Sequence, residues 1–267
     1  MFPEIQRRFR SRLAAAMGID PSLFQKPGTI VAASPDREGS RLVSAFAVAE
    51  ATILWCDPLV ADRVASLTDD SRSFAIAGME AWASAHGAEY VGGARSHLIG
   101  PELLASPPLA PGYRRRFLDG DDPGDLAVLT GLLEECDEDD VDAIDLDLDD
   151  LDRLLIGVFD AGGHMAGMAS ERPWDHDGAF ADIAVLVHPG HRRLGIGAAA
   201  VARVCDEDFA LGRMPLYRCN WDREASRRLA LSLGFIEVLS LAAIRFDQPD
   251  RSITDPGPAE AAPLDPS

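Results

Sequence analysis

The chain has 267 residues, 47% of them hydrophobic, and a formal net charge of −19, so it can bury a sizeable core in one or two domains. The acidic balance disfavours nonspecific nucleic-acid binding through a basic surface, and no apolar run is long enough to span a bilayer. Four scattered cysteines (Cys56, Cys136, Cys205, Cys219), with no C-x-x-C pair, argue against a disulfide framework or a metal site and place the protein in the reducing cytoplasm.

The first 19 residues are charged and lack the basic, apolar and small-residue plan of a signal peptide, so they read as part of the fold. Residues 4–17 read as a helix with Ile5, Phe9, Leu13 and Met17 on one face. Apolar segments follow at 28–34, 42–55 and 88–93, with helical stretches at 59–67 and 74–86. Pro107, Pro108, Pro111 and Gly112 then mark a break. This divides the chain into an α/β unit over 1–112, a second domain over 113–246, and a Pro-, Asp- and Ala-rich tail over 247–267 that reads as disordered. Nothing in 1–112 carries recognisable chemistry; a lid, a homodimer surface or a diverged copy of the second domain are its open roles. Trp55 and His97 read as core residues.

In the second domain, 125–136 has helical periodicity. The acidic run 137–150 fails the calcium-loop pattern, with no glycine at the sixth position and no glutamate at the twelfth, and reads as a loop or short helix over the site. Two apolar runs, 154–159 and 164–171, flank Asp160-Ala161-Gly162-Gly163 and predict a β-hairpin. The run 180–187 is apolar on both faces, as in a central strand. Helices at 195–211 and 223–233 bracket a strand at 215–219, Gly234 closes the second helix, and 235–246 forms a last strand or bent pair.

The segment from Val185 to Gly197, VLVHPGHRRLGIG, carries the chemistry. A buried strand enters a short loop, and the loop opens a helix at two glycines. The first turn of a helix has free N–H groups and partial positive charge, glycines allow close approach, and Arg192 and Arg193 add donors, which together describe a pyrophosphate cradle. Gly195-x-Gly197-x-x-Ala200 also fits a dinucleotide fingerprint, but seven residues separate Gly195 from the strand and no acidic residue ends the next strand, contrary to that motif.

Arg192-x-x-Gly195-x-Gly197 after V-x-V-x-P, followed by Ala225-Ser226-Arg227-Arg228-Leu229 and Leu233-Gly234-Phe235, resembles the two motifs of the GNAT acetyltransferases. The resemblance covers about 120 residues and implies an α/β fold: a central mixed β-sheet flanked by helices and splayed where the cofactor enters. It implies acetyl-CoA or another acyl-CoA as co-substrate, no metal, and an amine of a small molecule or peptide as acceptor, with no nucleic-acid or membrane partner. It places the pantetheine arm along Val185, Leu186 and Val187, and the pyrophosphate on Arg192, Arg193, Leu194, Gly195, Ile196, Gly197 and Ala198. The family's glutamate base falls near Asp182, one residue out of register, with Glu171 as second choice. The family's helix tyrosine is replaced by Ala230, leaving Ser226 or water to serve the thiolate, and its asparagine is replaced by Arg223. These departures keep a non-catalytic acyl-CoA-binding or sensing protein open as the alternative.

Overall fold

The computed structural model describes residues 1–68, 76–148, 151, 154–174 and 177–247. The tail beyond 247 and the start of the helical stretch 74–86 lie outside these residues. Helix α1 (Phe2–Met17) buries Ile5, Phe9 and Leu13 and ends on Gly18, whose φ of 67° no side chain opposes. Strands β1 (Gly28–Ala33), β2 (Leu42–Val48) and β3 (Ala51–Cys56) follow. The apolar segment 42–55 is therefore two strands. They meet in a tight antiparallel turn, with Val48 opposite Ala51 and Ala49 at φ 54°. No Gly, Asn or Asp marks that turn, so the usual hairpin signal is missing.

Helices α2 (Pro58–Thr68) and α3 (Met79–Ala85) lead into β4 (Ala88–Leu98), five residues longer than its apolar stretch. The exposed strand β5 (Arg114–Phe117) has no apolar alternation to announce it. Helix α4 (Pro123–Glu134) starts where the Asp122 carboxylate accepts the N–H groups of Gly124 and Asp125. The acidic run forms helix α5 (Glu138–Ile144). Strands β6 (Leu155–Phe159), β7 (Met165–Pro173) and β8 (Phe180–Val187), helix α6 (Ile196–Ala210), strand β9 (Met214–Asn220), helix α7 (Glu224–Ser232) and strand β10 (Ile236–Phe246) complete the chain.

The strands form one mixed sheet in the order β1-β3-β2-β10-β4-β9-β8-β7-β6-β5. Only β1–β3 and β8–β9 pair parallel among the described strands. β10 runs between β4 and β2, antiparallel to both, so the two halves of the chain interleave in the sheet. Alternation along each strand sorts the cores. Helices α1, α4 and α5 cover one face, where Phe180, Leu186 and Leu216 are buried; α2, α3, α6 and α7 cover the other, with Ile183, Tyr217 and Cys219.

Candidate active site

β8 and β9 pair only from Phe180↔Met214 to Ile183↔Tyr217. Beyond that point they diverge, and a cleft of about 1050 Å³ opens between Ala184–Val187 on one side and Arg218–Asn220 on the other. Separated parallel strands leave backbone groups without a ladder partner, and an extended ligand can take them.

The cleft ends at the mouth of α6. Gly195 caps that helix with φ 75°, and nothing lies within 4 Å of where its Cβ would stand. A Cβ on Gly197 would press at 3.2–3.5 Å on Val187, Leu229 and Val185, so glycine there lets the helix start against β8 and α7. The first intrahelical bond is donated by Ala199 to the Gly195 carbonyl. The N–H groups of Gly195, Ile196, Gly197 and Ala198 therefore have no acceptor among the described residues, and they sit at the positive end of a 15-residue helix. The residues present fit a phosphate-bearing ligand. Of the loop residues expected to hold it, Arg192, Arg193 and Gly195–Ala198 line the cleft with Val185–Val187, whereas Leu194 does not and is 47% exposed.

Arg192 of the loop is already engaged. Arg192 donates through Nη2 to Asp140 Oδ2 (2.8 Å) and through Nε to the Val187 carbonyl (3.3 Å). Arg223 donates to the other Asp140 oxygen and to the Asp139 carbonyl (2.7 Å). One carboxylate on α5 thus bridges two cleft arginines.

Residues 126–235 match the model of the acetyltransferase (GNAT) family. The C-terminal half carries a GNAT acetyltransferase domain. No curated protein matches the sequence. Similar solved structures include a GCN5-related N-acetyltransferase from Kribbella flavida (17% identity, 64% of this chain and 65% of that one, TM-score 0.47), so this chain spans less than two thirds of that relative. Others are a GNAT-family acetyltransferase from Colwellia psychrerythraea (12%, 73% and 76%, TM-score 0.48) and yncA from Salmonella typhimurium with its cofactor acetyl-CoA (22%, 52% and 98%, TM-score 0.39).

The cleft of the GNAT domain passes from one sheet face to the other. Val185 and Val187 face α6 and α7, as does Tyr217, which is 1% exposed. Its hydroxyl bonds Ser226 Oγ at 2.9 Å, and both residues line the cleft. Burial pushes ionisation of the Tyr217 phenol well above its usual range, so it remains protonated.

On the α5 side lies a different wall. Asp182 is 8% exposed; its Oδ1 accepts from Arg218 Nε at 3.0 Å and its Oδ2 from Arg218 Nη2. Arg172 Nε stands 3.8 Å from Asp182, and Arg172 Nη2 reaches Asp145 at 2.5 Å. The β7–β8 and β8–β9 registers show no shift around Asp182, so no bulge turns it toward α6.

Glu171 is elsewhere. It is 2% exposed, does not line the cleft, and binds Arg213 at 2.8 Å beside fully buried Asp208. Burial, with Glu171 next in effect, pushes the Asp208 carboxyl up to about 7. His191 lines the cleft and its Nδ1 bonds the Tyr113 hydroxyl at 2.8 Å; His188 Nδ1 accepts from the Gly190 N–H at 3.1 Å. Sequence reasoning missed Arg172, Arg218, Tyr217 and Asp140 as cleft residues. An arginine directly after the buried run of β9 was the one available signal, since long charged side chains rarely sit in such a strand without a partner.

Proposed function

We propose that the protein transfers an acyl group, acetyl in the simplest case, from acyl-coenzyme A to the nitrogen of an amine by direct attack. The observation that carries this reading is the row of open backbone amides at the mouth of α6, placed at the end of a strand that has lost its neighbour. A bound acyl-coenzyme A supplies the activated thioester. The chain's own contribution is positional and electrostatic. The amides of Gly195–Ala198 hold the pyrophosphate, Val185–Val187 hold the pantetheine arm by backbone bonds, and the gap after Ile183 sets the thioester between the two sheet faces.

Ser226 is the donor we assign to the departing sulfur. With the Tyr217 O–H as donor to Ser226 Oγ, the serine hydrogen is free to turn into the cleft and stabilise negative charge there. Asp182 is the carboxylate nearest the strand divergence, but Arg218 covers both of its oxygens; water passing the proton out along the α5 wall fits this arrangement better than direct abstraction.

The test is thiol release from acetyl-CoA by the full-length protein with a broad panel of amines, beside calorimetric titration of coenzyme A. Saturable turnover supports the transferase. Tight binding with no turnover supports the acyl-CoA-binding alternative, and no saturable binding ends both readings.

A further inference from the structure

The wall of the cleft facing α5 is not shaped for a bare amine. It is built from two arginines and two aspartates in alternation, Arg218–Asp182–Arg172–Asp145, with net charge zero. A polycation would meet two guanidinium groups, and a phosphorylated acceptor would meet two carboxylates, so neither is favoured by the local field. Arg218 spends Nε and Nη2 on Asp182 and its Nη1 has no partner among the described residues. Its side chain is 43% exposed and lines the cleft. That leaves three N–H donors, and one on each Nη points along the terminal edge away from Asp182 as a rigid fork, a geometry that recognises a carboxylate. Arg218 also follows Tyr217, the last β9 residue in register with β8, so its guanidinium stands at the strand divergence, where an amine must meet the thioester. A carboxylate held there can be only a few bonds from the reacting nitrogen.

We propose that the acceptor is an amino acid or a similar small zwitterion, its carboxylate held by the free edge of Arg218 with Arg172 behind, and its ammonium drawn in by Asp145. This rests on the transferase reading above and names the substrate class for that site.

The experiment compares amino acids with their carboxamides and with alkylamines of equal length, using the full-length protein, acetyl-CoA and kcat/KM corrected for the fraction of free amine. The amino acid should exceed both analogues by about tenfold or more, the size of one charge-assisted carboxylate contact. Arg218→Gln should bring that preference to within roughly threefold while leaving coenzyme A affinity unchanged, because one such contact carries the discrimination. Because Arg218→Gln strands the buried Asp182, Arg172→Gln and the double variant Asp182→Asn/Arg218→Gln are run alongside; each should narrow the preference in the same direction. Carboxamides or alkylamines used as well as amino acids overturn the proposal and leave the transferase standing. Coenzyme A binding with no transfer to any member of the panel overturns both.

Discussion

Gly195 combines a left-handed backbone with empty space on its open side, so a substituted side chain has room, and its bulk and charge fall where a phosphate would sit. Gly195→Glu should keep cooperative unfolding yet weaken coenzyme A binding by about 2 kcal/mol, roughly thirtyfold, the upper range for charge at a helix terminus; unchanged affinity by calorimetry would remove the loop from the site. Ser226→Ala deletes one hydrogen bond to developing charge and should lower kcat about tenfold, near 1.4 kcal/mol, with the KM for acetyl-CoA nearly constant. Ser226→Thr, which keeps the hydroxyl, should restore most of it, and equal loss in both variants would assign Ser226 a packing role. Far from the cleft, Asp208 provides a pH signature. Its carboxyl is pushed up to about 7 when folded, against 3.8 as its ordinary value. Between these values the folded state holds the extra proton, so this group's contribution to stability falls as pH rises through that window. Wild type should lose more stability than Asp208→Asn between pH 5 and pH 8, by on the order of 1–3 kcal/mol; parallel urea-melt profiles for the two proteins would contradict this.

At the scale of elements, α5 and the strand divergence both border the cleft. Helix α5 carries Glu138, Asp139 and Asp140 in its first turn, and Asp140 sits between Arg192 and Arg223 beside amides that would receive a pyrophosphate. Its carboxylate opposes an incoming anion by charge and occupies two guanidinium groups. Asp140→Asn should therefore tighten coenzyme A binding about three- to tenfold, measured by titration at low salt, with the gain shrinking as salt is raised. Weaker binding would mean that Asp140 organises the arginines for the ligand.

Across the molecule, the sheet joins both halves of the chain. β10 has β4 on one side and β2 on the other, and both come from the first 98 residues. A fragment starting at residue 113 would leave β10 with no partner strand and β9 with one open edge, exposing Leu239, Ala242 and Ile244, now almost wholly buried. We expect the full chain to unfold in one transition, and the fragment 113–267 to lack a cooperative melt by circular dichroism; a fragment with native-like stability would show that β4 is dispensable. The local signals were readable in the residues alone: Gly195 and Gly197 opening α6, the doubly apolar β8, Gly234 ending α7, and the family resemblance of the motifs joining them. Each is written in near-neighbour spacing, because helix mouths, caps and buried strands impose their demands within a few residues. The arrangement of Arg218 over Asp182, of Asp140 between Arg192 and Arg223, of Glu171 against Arg213, and of β4 beside β10 was not readable. These pairings join residues 36 to 158 positions apart, and side-chain alternation along a strand says which faces exist, not which distant charge will stand opposite; only packing the sheet and its helices settles that.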